Sequence, residues 1–391
     1  MFDKKTIRDT NYQGKHVLVR VDFNVPLADG KVADDTRIQA ALPTIKYLLN
    51  QGAALILCSH LGRPKGKFLP SLSLRPVAKY LDDLVKSKVY FVDNSIGSDV
   101  ETAAHNLQPG EILVLENTRF HKGEKNNNPE YARQLAALAV SYVNDAFGTA
   151  HRAHASNVGV TKYLPSVAGL LLEKEIKFLG KAISRPKRPF IAILGGAKVS
   201  DKIDVIRNLI GKADKILIGG GMANTFFKAQ GFATGDSLVE MDSIETAREL
   251  LVEGRDLLSL PVDVVIGDKF DANARQQVMS MGAIPEGWRI LDIGPVTISN
   301  YSRIIEDAGM VIWNGPMGVF EFSQFARGTF ELAAAMAKSN ALSIIGGGDS
   351  AAAIQQSGLA KQVDHISTGG GASLQMLEGR ALPGVDALEN K

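Results

Sequence analysis

The sequence is poor in cysteine, in long apolar runs and in net charge. Cys58 is the single cysteine among 391 residues, which excludes an intrachain disulfide and a cysteine-cluster metal site. This usage indicates a reducing compartment, and we expect a cytoplasmic location. No apolar run reaches the roughly 18–20 residues of a membrane-spanning helix. The first residues, MFDKKTIRDT, lack the apolar stretch of a secretory signal, so no membrane partner is expected.

The net charge of +2 is too small to indicate a nucleic-acid partner. The charge is nevertheless uneven, because residues 1–172 carry +5 and residues 173–391 carry −3. Six of the seven histidines also lie in the first segment. A basic half favours an anionic ligand, although an imbalance of this size also arises by chance on protein surfaces.

Short apolar runs alternate with helix-length segments along the whole chain. Most of the runs are continuous and rich in Val, Ile and Leu, which is typical of parallel strands that are covered on both faces. The pattern predicts an α/β fold with two doubly wound parallel-sheet domains of similar size. The predicted strands are 16–21, 53–58, 111–115, 140–143, 190–194, 215–218, 263–266, 289–293, 310–313 and 342–345.

The boundary between the domains is predicted near residues 165–190. Leu172, Ile176, Leu179 and Ile183 recur at helical spacing, and Pro186 then ends the pattern. We predict an N-terminal domain at 1–172, a connecting helix and hinge at 173–185, and a C-terminal domain at 186–377.

Ligands of open parallel sheets bind at the carboxyl ends of the strands, so the residues that follow each strand are the candidate site residues. The first half places Arg, His, Asn and Asp there, in VRVDFNVP, SHLGRP, LENTRF and NDAFGTAHRAHAS. The second half places glycine-rich turns there, in GGAKVSDK, GGGMAN, NGPMGVFE, GGGDS and STGGGAS.

These two sets indicate different chemistry. Arginine keeps its charge and pairs with phosphate and carboxylate in a bidentate manner. Glycine-rich turns before helices expose backbone N–H groups that hold nucleotide phosphates. Lys198, Lys202 and Asp349 stand beside such turns and could supply phosphate and Mg²⁺ contacts. The sequence therefore predicts phosphoryl transfer between a nucleotide and a small acidic phosphometabolite.

Several of these residues also have a purely structural interpretation. Single glycine turns commonly serve tight strand-to-helix connections. His151 and His154 have the spacing of metal ligands, but no further ligand cluster accompanies them. Arg20 and Asp22 could form a buried structural ion pair.

P-loop proteins and dinucleotide-binding proteins are two other classes with glycine-rich motifs. GGAKVSDK lacks the spacing of a P-loop. GGGDSA fits the looser dinucleotide-binding pattern, but Asp349 would then face a pyrophosphate. A dehydrogenase is the weaker enzyme hypothesis. A non-catalytic scaffold is the alternative from another class.

Nine motifs in order closely resemble the phosphoglycerate kinase family, and the resemblance covers nearly the whole chain. They are VLVRVDFNVP, SHLGRP, LENTRF, NDAFGTAHRAHAS, GGAKVSDK, GGGMANTF, WNGPMGVFE, GGGDS and STGGGAS. Two positions depart from the commonest family pattern: Ser350 replaces a threonine but keeps the hydroxyl, and Gln375 stands where glutamate is more familiar.

The resemblance implies the reaction 1,3-bisphosphoglycerate + ADP ⇌ 3-phosphoglycerate + ATP of glycolysis, with Mg²⁺ carried by the nucleotide. It implies a glycerate-binding N-terminal domain, a nucleotide-binding C-terminal domain and a tail, 378–391, that packs back on the N-terminal domain. A monomer is also implied. The nucleophile is a carboxylate with a reference pKa near ~3.5–4, so no general base is needed. Direct in-line transfer with domain closure is the expected mechanism.

The resemblance also assigns residues by matching motif. Catalytic roles fall on Arg37, Lys198, Gly348 and Gly371. Substrate binding falls on Asp22, Phe23, Asn24, Arg37, His60, Leu61, Gly62, Arg63, Arg119 and Arg152. Nucleotide binding falls on Lys202, Gly219, Gly220, Gly221, Asn314, Glu321, Gly347, Gly348, Asp349 and Ser350, with Asp349 as the metal ligand.

Overall fold

The computed structural model describes residues 3–391, except for the side chain of Lys181. The chain divides into two compact units. The N-terminal unit comprises Met1–Lys177 and Ala381–Lys391, and the C-terminal unit comprises Phe178–Arg380. The sequence prediction had ended the first domain at residue 172 and begun the returning tail at residue 378.

From residue 3 to the division at Lys177, the N-terminal unit contains eight strands and five complete helices. The strands are β1 (His16–Arg20), β2 (Leu27–Ala28), β3 (Lys31–Val32), β4 (Ala54–Cys58), β5 (Val89–Val92), β6 (Ile112–Leu115), β7 (Ser141–Asn144) and β8 (Ser166–Ala168). The helices are α1 (Thr36–Asn50), α2 (Arg75–Leu84), α3 (Ser98–Asn106), α4 (Lys122–Lys125) and α5 (Pro129–Ala136).

Six of these strands form a parallel sheet in the order β5-β6-β4-β1-β7-β8. The central strands β1 and β4 are almost completely buried, as expected for a sheet covered on both faces. Helix α1 buries Ile38, Leu42 and Ile45 at helical spacing. This spacing leaves Arg37, on the first turn, off the buried face.

Helix α6 (Leu170–Ser184) continues across the division at Lys177. Its first turn is anchored in the N-terminal unit by side chains, because helix N-termini leave backbone N–H groups without partners. The Leu170 N–H donates to Thr44 Oγ1 at 2.9 Å, and the Leu171 N–H donates to Asp145 Oδ1 at 2.9 Å. Burial raises the pKa of the Asp145 carboxyl to about 7.

The C-terminal unit contains eleven strands and seven helices among the described residues. The strands are β9 (Phe190–Leu194), β10 (Lys215–Ile218), β11 (Ala233–Thr234), β12 (Leu258–Ser259), β13 (Asp263–Gly267), β14 (Gln276–Ser280), β15 (Ala283–Ile284), β16 (Arg289–Ile293), β17 (Met310–Asn314), β18 (Leu342–Gly346) and β19 (His365–Ile366). The helices are α7 (Ile203–Ile210), α8 (Met222–Ala229), α9 (Ile244–Gly254), α10 (Pro295–Glu306), α11 (Arg327–Lys338), α12 (Gly348–Gln356) and α13 (Gly370–Leu377).

Its main sheet is also parallel, in the order β12-β10-β9-β17-β18-β19. If these strands are numbered one to six along the chain, their order in the sheet is 3-2-1-4-5-6, which is that of the Rossmann fold. The strands are added to one side of the first strand and then, from the fourth strand on, to its other side. Trp313 of β17 is fully buried, and its indole N–H donates to Gly315 O at 2.7 Å. The predicted α/β class with parallel sheets is confirmed.

Two of the predicted parallel strands belong to a different sheet. The runs at 263–266 and 289–293 are β13 and β16, which pair antiparallel in a separate sheet of three strands, β14-β13-β16. Their apolar content does not reveal the partner, because a short apolar run fits a buried strand of either kind. The third strand, β14, is mostly exposed and gave no apolar signal.

The chain end packs within the N-terminal unit through a short helix, α14 (Pro383–Asp386). The Lys5 N–H donates to Glu389 O at 2.8 Å, and the Glu389 N–H donates to Ser166 O at 3.0 Å. The side-chain amide of Asn144 donates to Gly384 O at 3.0 Å. These bonds attach the tail to the strand edge and to the carboxyl end of β7.

Short 3₁₀ helices complete the structure. They are Ile7–Asp9, Pro70–Leu72, Thr118–Phe120, Phe147–Thr149, Gly159–Lys162, Met241–Ser243, Arg255–Leu257, Ser323–Phe325 and Ala360–Gln362. Among residues 3–391, no helix combines the length and the apolar character that crossing a bilayer requires.

Candidate active site

The sheet of the N-terminal unit has its topological switch point at β1, which lies between β4 and β7. Ligands of open parallel sheets bind outside the carboxyl ends of the strands at such a point. Asp22 and Asn24 follow β1, and His60 follows β4. The loop after β7 carries Arg152.

A cavity of about 370 Å³ opens at this edge of the sheet. Two predicted substrate residues do not line it: the side chains of Phe23 and Leu61 are buried in the hydrophobic core. The cavity brings together the other predicted substrate residues, which are Asp22, Asn24, Arg37, His60, Gly62, Arg63, Arg119 and Arg152.

Asn24 connects two walls of this cavity. Its side-chain oxygen accepts from the Gly62 N–H at 2.8 Å, and its backbone oxygen accepts from Arg37 Nη1 at 2.6 Å. Arg37 Nη1 also lies 3.7 Å from Asp22 Oδ2. The guanidinium is thus held by one neutral and one charged acceptor, and it remains one-third exposed.

The other three arginines differ in how they are held. Arg119 Nη1 donates to Gly62 O at 2.8 Å, while its Nε is buried without a partner. Arg63 and Arg152 are exposed, and no hydrogen bond or ion pair is recorded for their guanidinium groups within residues 3–391. Unsatisfied guanidinium donors in a concave surface favour binding of a phosphate or carboxylate.

Positive charge predominates in the cavity, although Asp22 compensates part of it. Burial lowers the pKa of the Arg119 guanidinium to about 10, and the charges of Arg20 and Arg152 act in the same direction. Burial and then the neighbouring Arg20, Arg119 and Arg37 hold the pKa of His60 well below its usual range. Burial, followed by the charge of Arg152, lowers the pKa of His151 to about 4.

The reading of Arg20 and Asp22 as an ion pair is wrong in the described structure. Arg20 is completely buried and donates from Nε to Ser156 Oγ at 2.8 Å. Its other donors reach the backbone oxygen of Val21 and the ring of His60. Asp22 instead lies beside Arg37 and His60.

The cavity also contains residues that sequence reasoning did not assign to it. Lys65, Lys125 and Thr149 line it, and so does His151, which belongs to the predicted strand-end motif NDAFGTAHRAHAS but was not assigned to the substrate. The basic run after SHLGRP was the available signal for Lys65. Lys125 follows LENTRF and carried no motif signal of its own.

The C-terminal unit has its own cavity, of about 530 Å³, at the carboxyl ends of its strands. Of the predicted nucleotide residues, Gly220, Gly221, Glu321 and Asp349 line it. Much of the wall is apolar and was not predicted, because apolar wall residues look like core in a sequence. This wall includes Phe227, Leu238, Val264, Phe270, Met317 and Val319.

Glycine is required where the turns of this cavity meet. A Cβ on Gly220 would lie 2.6 Å from the nitrogen of Gly196, and Gly220 also has a positive φ of 66°. A Cβ on Gly219 would lie 2.4 Å from Met317 Sδ. The close approach of these turns leaves backbone as the surface of the cavity at Gly220 and Gly221, which suits contact with a flat or phosphorylated ligand.

Lys202 precedes α7 and is almost fully buried. Its ammonium donates to Asn314 Oδ1, while the Asn314 side-chain nitrogen is buried without a partner. Burial lowers the pKa of Lys202 to about 8, and the charges of Asp201 and Asp349 partly oppose this. A buried lysine with little compensation is suited to an anionic ligand.

Two helix N-termini lie side by side near these residues. A Cβ on Gly370 of α13 would lie 3.5 Å from the nitrogen of Gly348 on α12. Gly348, Asp349 and Gly371 are exposed at these ends. Helix N-termini carry partial positive charge and free N–H groups, so the pair offers donors to phosphate.

The remaining predicted residues of this unit have other surroundings. Ser350 is buried, and its hydroxyl accepts from the Gly315 N–H at 2.6 Å, which attaches α12 to the end of β17. Gly347 has a positive φ of 94° at the start of α12. Lys198 is exposed in the loop after β9 and lines neither cavity.

The C-terminal cavity offers few side-chain donors for a metal ion. Within the described residues, no cluster of three or more His, Cys, Asp or Glu side chains could hold a metal ion. Asp349 is exposed, lines the larger cavity and has no recorded hydrogen bond or ion pair among residues 3–391. A single free carboxylate fits Mg²⁺ that arrives with phosphates, because Mg²⁺ typically takes one or two carboxylates together with substrate oxygens.

Comparisons with known proteins place the chain in one family. The model of the family described as phosphoglycerate kinase matches residues 7–380. A phosphoglycerate kinase of Herpetosiphon aurantiacus is 58% identical over 393 residues and covers 100% of both chains. That of Moorella thermoacetica is 57% identical, covering 99% of this chain and 100% of the relative.

Solved structures give the same result. The structure of phosphoglycerate kinase from Coxiella burnetii aligns with a TM-score of 0.88 at 41% identity and covers 98% of both chains. That from Pyrococcus horikoshii aligns with a TM-score of 0.87 at 35% identity, covering 99% of this chain and 98% of the other.

Proposed function

This chain belongs to the phosphoglycerate kinase family, and from that we propose that it catalyses reversible phosphoryl transfer from 1,3-bisphosphoglycerate to ADP, which yields 3-phosphoglycerate and ATP. The observation that carries the proposal is the presence of two unlike cavities. One is lined by arginine and histidine, and the other by glycine turns and apolar side chains. They suit an acidic metabolite and a nucleotide respectively.

The glycerate is assigned to the cavity of the N-terminal unit. Arg63 and Arg152 offer guanidinium groups that have no recorded protein partner within residues 3–391, so they are available to phosphate and carboxylate oxygens. Asn24 and Asp22 hold Arg37, which fixes the direction of its charge. We assign Arg37 to the phosphoryl group in flight.

The nucleotide is assigned to the cavity of the C-terminal unit. The apolar wall offers a surface for the base, and Glu321 at its rim is assigned to the ribose side. Lys202, the turn at 219–221 and the paired N-termini of α12 and α13 supply donors for phosphate oxygens. Asn314 is assigned to orienting Lys202.

Magnesium is proposed to bind with the nucleotide, and Asp349 is the residue that would hold it. When bound, the ion would neutralise phosphate charge. This chain's own groups would do the rest of the work. The N–H groups at Gly348 and Gly371, together with Lys198, are proposed to face the transferred group.

The chemistry needs no general base. The attacking group, in the direction of ATP consumption, is the carboxylate of 3-phosphoglycerate, which is ionised at neutral pH because its pKa is near ~3.5–4. The barrier is therefore one of alignment and of crowded negative charge. A site rich in arginine, lysine and backbone donors addresses both.

We further propose that the enzyme acts as a monomer in the cytoplasm, where its single cysteine would stay reduced. Cys58 is buried, and burial raises the pKa of its thiol to about 12, so it is not expected to react.

The test is ATP formation by the purified full-length chain from ADP, Mg²⁺ and 1,3-bisphosphoglycerate. We expect turnover that requires all three components, and reverse turnover from ATP and 3-phosphoglycerate. Acetyl phosphate in place of 1,3-bisphosphoglycerate tests whether the arginine cavity selects the glycerate. Equal turnover with both acyl phosphates, or none with either, would contradict the proposed function.

A further inference from the structure

A buried chain of hydrogen bonds begins at Glu124, whose carboxylate is completely inaccessible to solvent. Glu124 Oε1 accepts from Ser156 Oγ at 2.6 Å, and Oε2 accepts from the Ser156 N–H at 2.9 Å. Ser156 Oγ lies 2.8 Å from Arg20 Nε. The hydroxyl gives its one proton to the carboxylate, so it meets Arg20 with a lone pair. The direction of the chain is thereby fixed.

The chain ends at His60, in the wall of the N-terminal cavity. Arg20 Nη2 lies 3.1 Å from His60 Nδ1. A guanidinium has donors only and does not lose its proton, so Nδ1 must be the acceptor. Asp22 Oδ1 is 3.8 Å from the same nitrogen, too far to form a competing hydrogen bond. In the neutral ring, the proton therefore resides on Nε2.

Burial and the charges of Arg20, Arg119 and Arg37 hold the pKa of His60 well below its usual range, which keeps the ring neutral. The Nε2–H group is then the remaining polar group of a residue that lines the cavity. The opposite tautomer would present a lone pair to an anion and repel it. A neutral donor adds direction to a cavity that already holds the charges of Arg37, Arg63 and Arg152.

We propose that Glu124 and Ser156 are positioning residues for the acidic substrate, which act through Arg20 to hold His60 as an Nε2–H donor. The proposal rests on the assignment of this cavity to 3-phosphoglycerate. Neither residue lines the cavity, so their effect must pass through side chains that do. The backbone of Ser156 is fixed independently, because Tyr142 Oη donates to Ser156 O at 2.7 Å.

The first experiment removes the hydroxyl with Ser156→Ala in the full-length enzyme. We expect the KM for 3-phosphoglycerate to rise on the order of tenfold, because a charge-assisted contact of Arg20 is lost. The KM for Mg-ATP should stay within about twofold. Ser141→Ala is the matched control: Ser141 is also a buried serine of this unit, but its hydroxyl has no partner in the described structure. It should change neither KM.

A double-mutant cycle separates positioning from a general structural role. In a His60→Ala background, Ser156→Ala should no longer raise the KM for 3-phosphoglycerate by more than about twofold, because the effect passes through the missing ring. An undiminished effect in that background would overturn the proposal. Ser156→Thr, which keeps the hydroxyl, should restore most of the affinity.

Nitrogen NMR of histidine-labelled protein gives a readout that does not depend on activity. The ring of His60, identified by its absence in His60→Ala, should be neutral with the proton on Nε2, and should not titrate near neutral pH. Ser156→Ala should produce a mixture of tautomers or a titrating ring; if that variant does not fold, Glu124→Gln takes its place. An Nδ1–H or charged ring in the wild type would refute the proposal. The predicted tautomer in an enzyme without 3-phosphoglycerate turnover would refute the proposed function instead.

Discussion

The two cavities of the molecule are built from different parts of the polypeptide. In the N-terminal unit the proposed recognition groups are side chains, and Arg37, Arg119 and His60 are held there by specific hydrogen bonds. In the C-terminal unit they are largely backbone, exposed at glycine turns and at the N-termini of α12 and α13. Side-chain charge is suited to a small, highly charged metabolite, whereas backbone donors and apolar walls are suited to a nucleotide.

Side-chain donors and backbone donors respond differently to mutation. A side-chain donor can be removed by one substitution, but a backbone N–H survives nearly every substitution. Single changes should therefore be most damaging in the N-terminal cavity. The C-terminal cavity should be sensitive at its few charged side chains and at the glycines that allow its turns to approach one another.

The largest effect is expected for Arg37→Ala. The loss in kcat should be on the order of 10²–10³, as for removal of a preorganised charge-stabilising donor. Nucleotide affinity should be unchanged, because Arg37 belongs to the N-terminal unit. Arg133→Ala is the control, since Arg133 forms an exposed pair with Glu130. A kcat of Arg37→Ala within about twofold of wild type would remove Arg37 from the mechanism.

Asp349→Asn tests one of the few proposed functional groups of the C-terminal cavity that belong to a side chain and not to the backbone. The half-saturating Mg²⁺ concentration should rise on the order of 10–100-fold, because a charged contact worth about 1.5–3 kcal/mol is weakened. Binding of 3-phosphoglycerate should be unaffected. Asp204→Asn is the control, because Asp204 is also a first-turn carboxylate of this unit but is paired with Arg380. An unchanged Mg²⁺ titration would contradict the assignment of Asp349.

A pair of glycine substitutions tests the backbone side of the comparison. Gly220 and Gly231 both have positive φ, of 66° and 88°, but a Cβ meets the Gly196 nitrogen only at Gly220. Gly220→Ala should destabilise the C-terminal unit by about 1–3 kcal/mol more than Gly231→Ala, because crowding adds to the common backbone strain. Thermal unfolding measures the difference. The KM for nucleotide should rise only in Gly220→Ala. If both variants lost the same stability and had the same KM for nucleotide, the close approach of the turns at Gly220 and Gly196 would not be needed for stability or for nucleotide binding.

The same contrast explains what could be predicted from the sequence. Arg63, Arg119, Arg152, His60 and Asn24 were recognisable because their side chains carry the chemistry and follow apolar strands. Arg37, on the first turn of α1, was assigned only through the family resemblance. The wall formed by Phe227, Leu238 and Phe270 was not, since those residues resemble core. Lys125 gave no signal because it lies in α4 and does not directly follow a strand.

The fold class was predicted correctly, but the prediction of strand pairing was wrong where partners, and not composition, decide the sheet. Runs 263–266 and 289–293 have the composition of parallel strands. They are β13 and β16, which pair antiparallel with each other, and β14 pairs antiparallel with the other edge of β13. Short strands such as β12 and β19 have two residues each and are defined by their partners. The Ser156 hydroxyl and the Glu124 carboxylate lie far apart in sequence from His60, so no local pattern could connect them.

The smallest effect near neutral pH is expected from the titration of Lys202, which separates the two cavities at higher pH. Burial lowers the pKa of Lys202 to about 8, whereas its unperturbed value is 10.5. In the free enzyme, the ammonium that attracts phosphate is present below about pH 8 and is lost above it. The kcat/KM for Mg-ATP should therefore be level near neutral pH and fall about tenfold for each pH unit well above 8. Lys202→Arg keeps the charge, and its profile should stay level over the same range.

Titration of Lys202 does not itself destabilise the folded state over this range. A lysine whose pKa is lower in the folded state is more protonated in the unfolded state between about pH 8 and 10.5, so its contribution to the free energy of unfolding increases with pH in that window. Nucleotide use would then decline while Lys202 itself favours the folded state more. The KM for 3-phosphoglycerate, which we propose is bound by arginines, should not change at the pH where Lys202 loses its proton, because the pKa of Arg119, about 10, is higher than that of Lys202, about 8. If both substrates lost affinity together above pH 8, the decline would not originate at Lys202, and the proposed division of labour between charged side chains and backbone would lose this support.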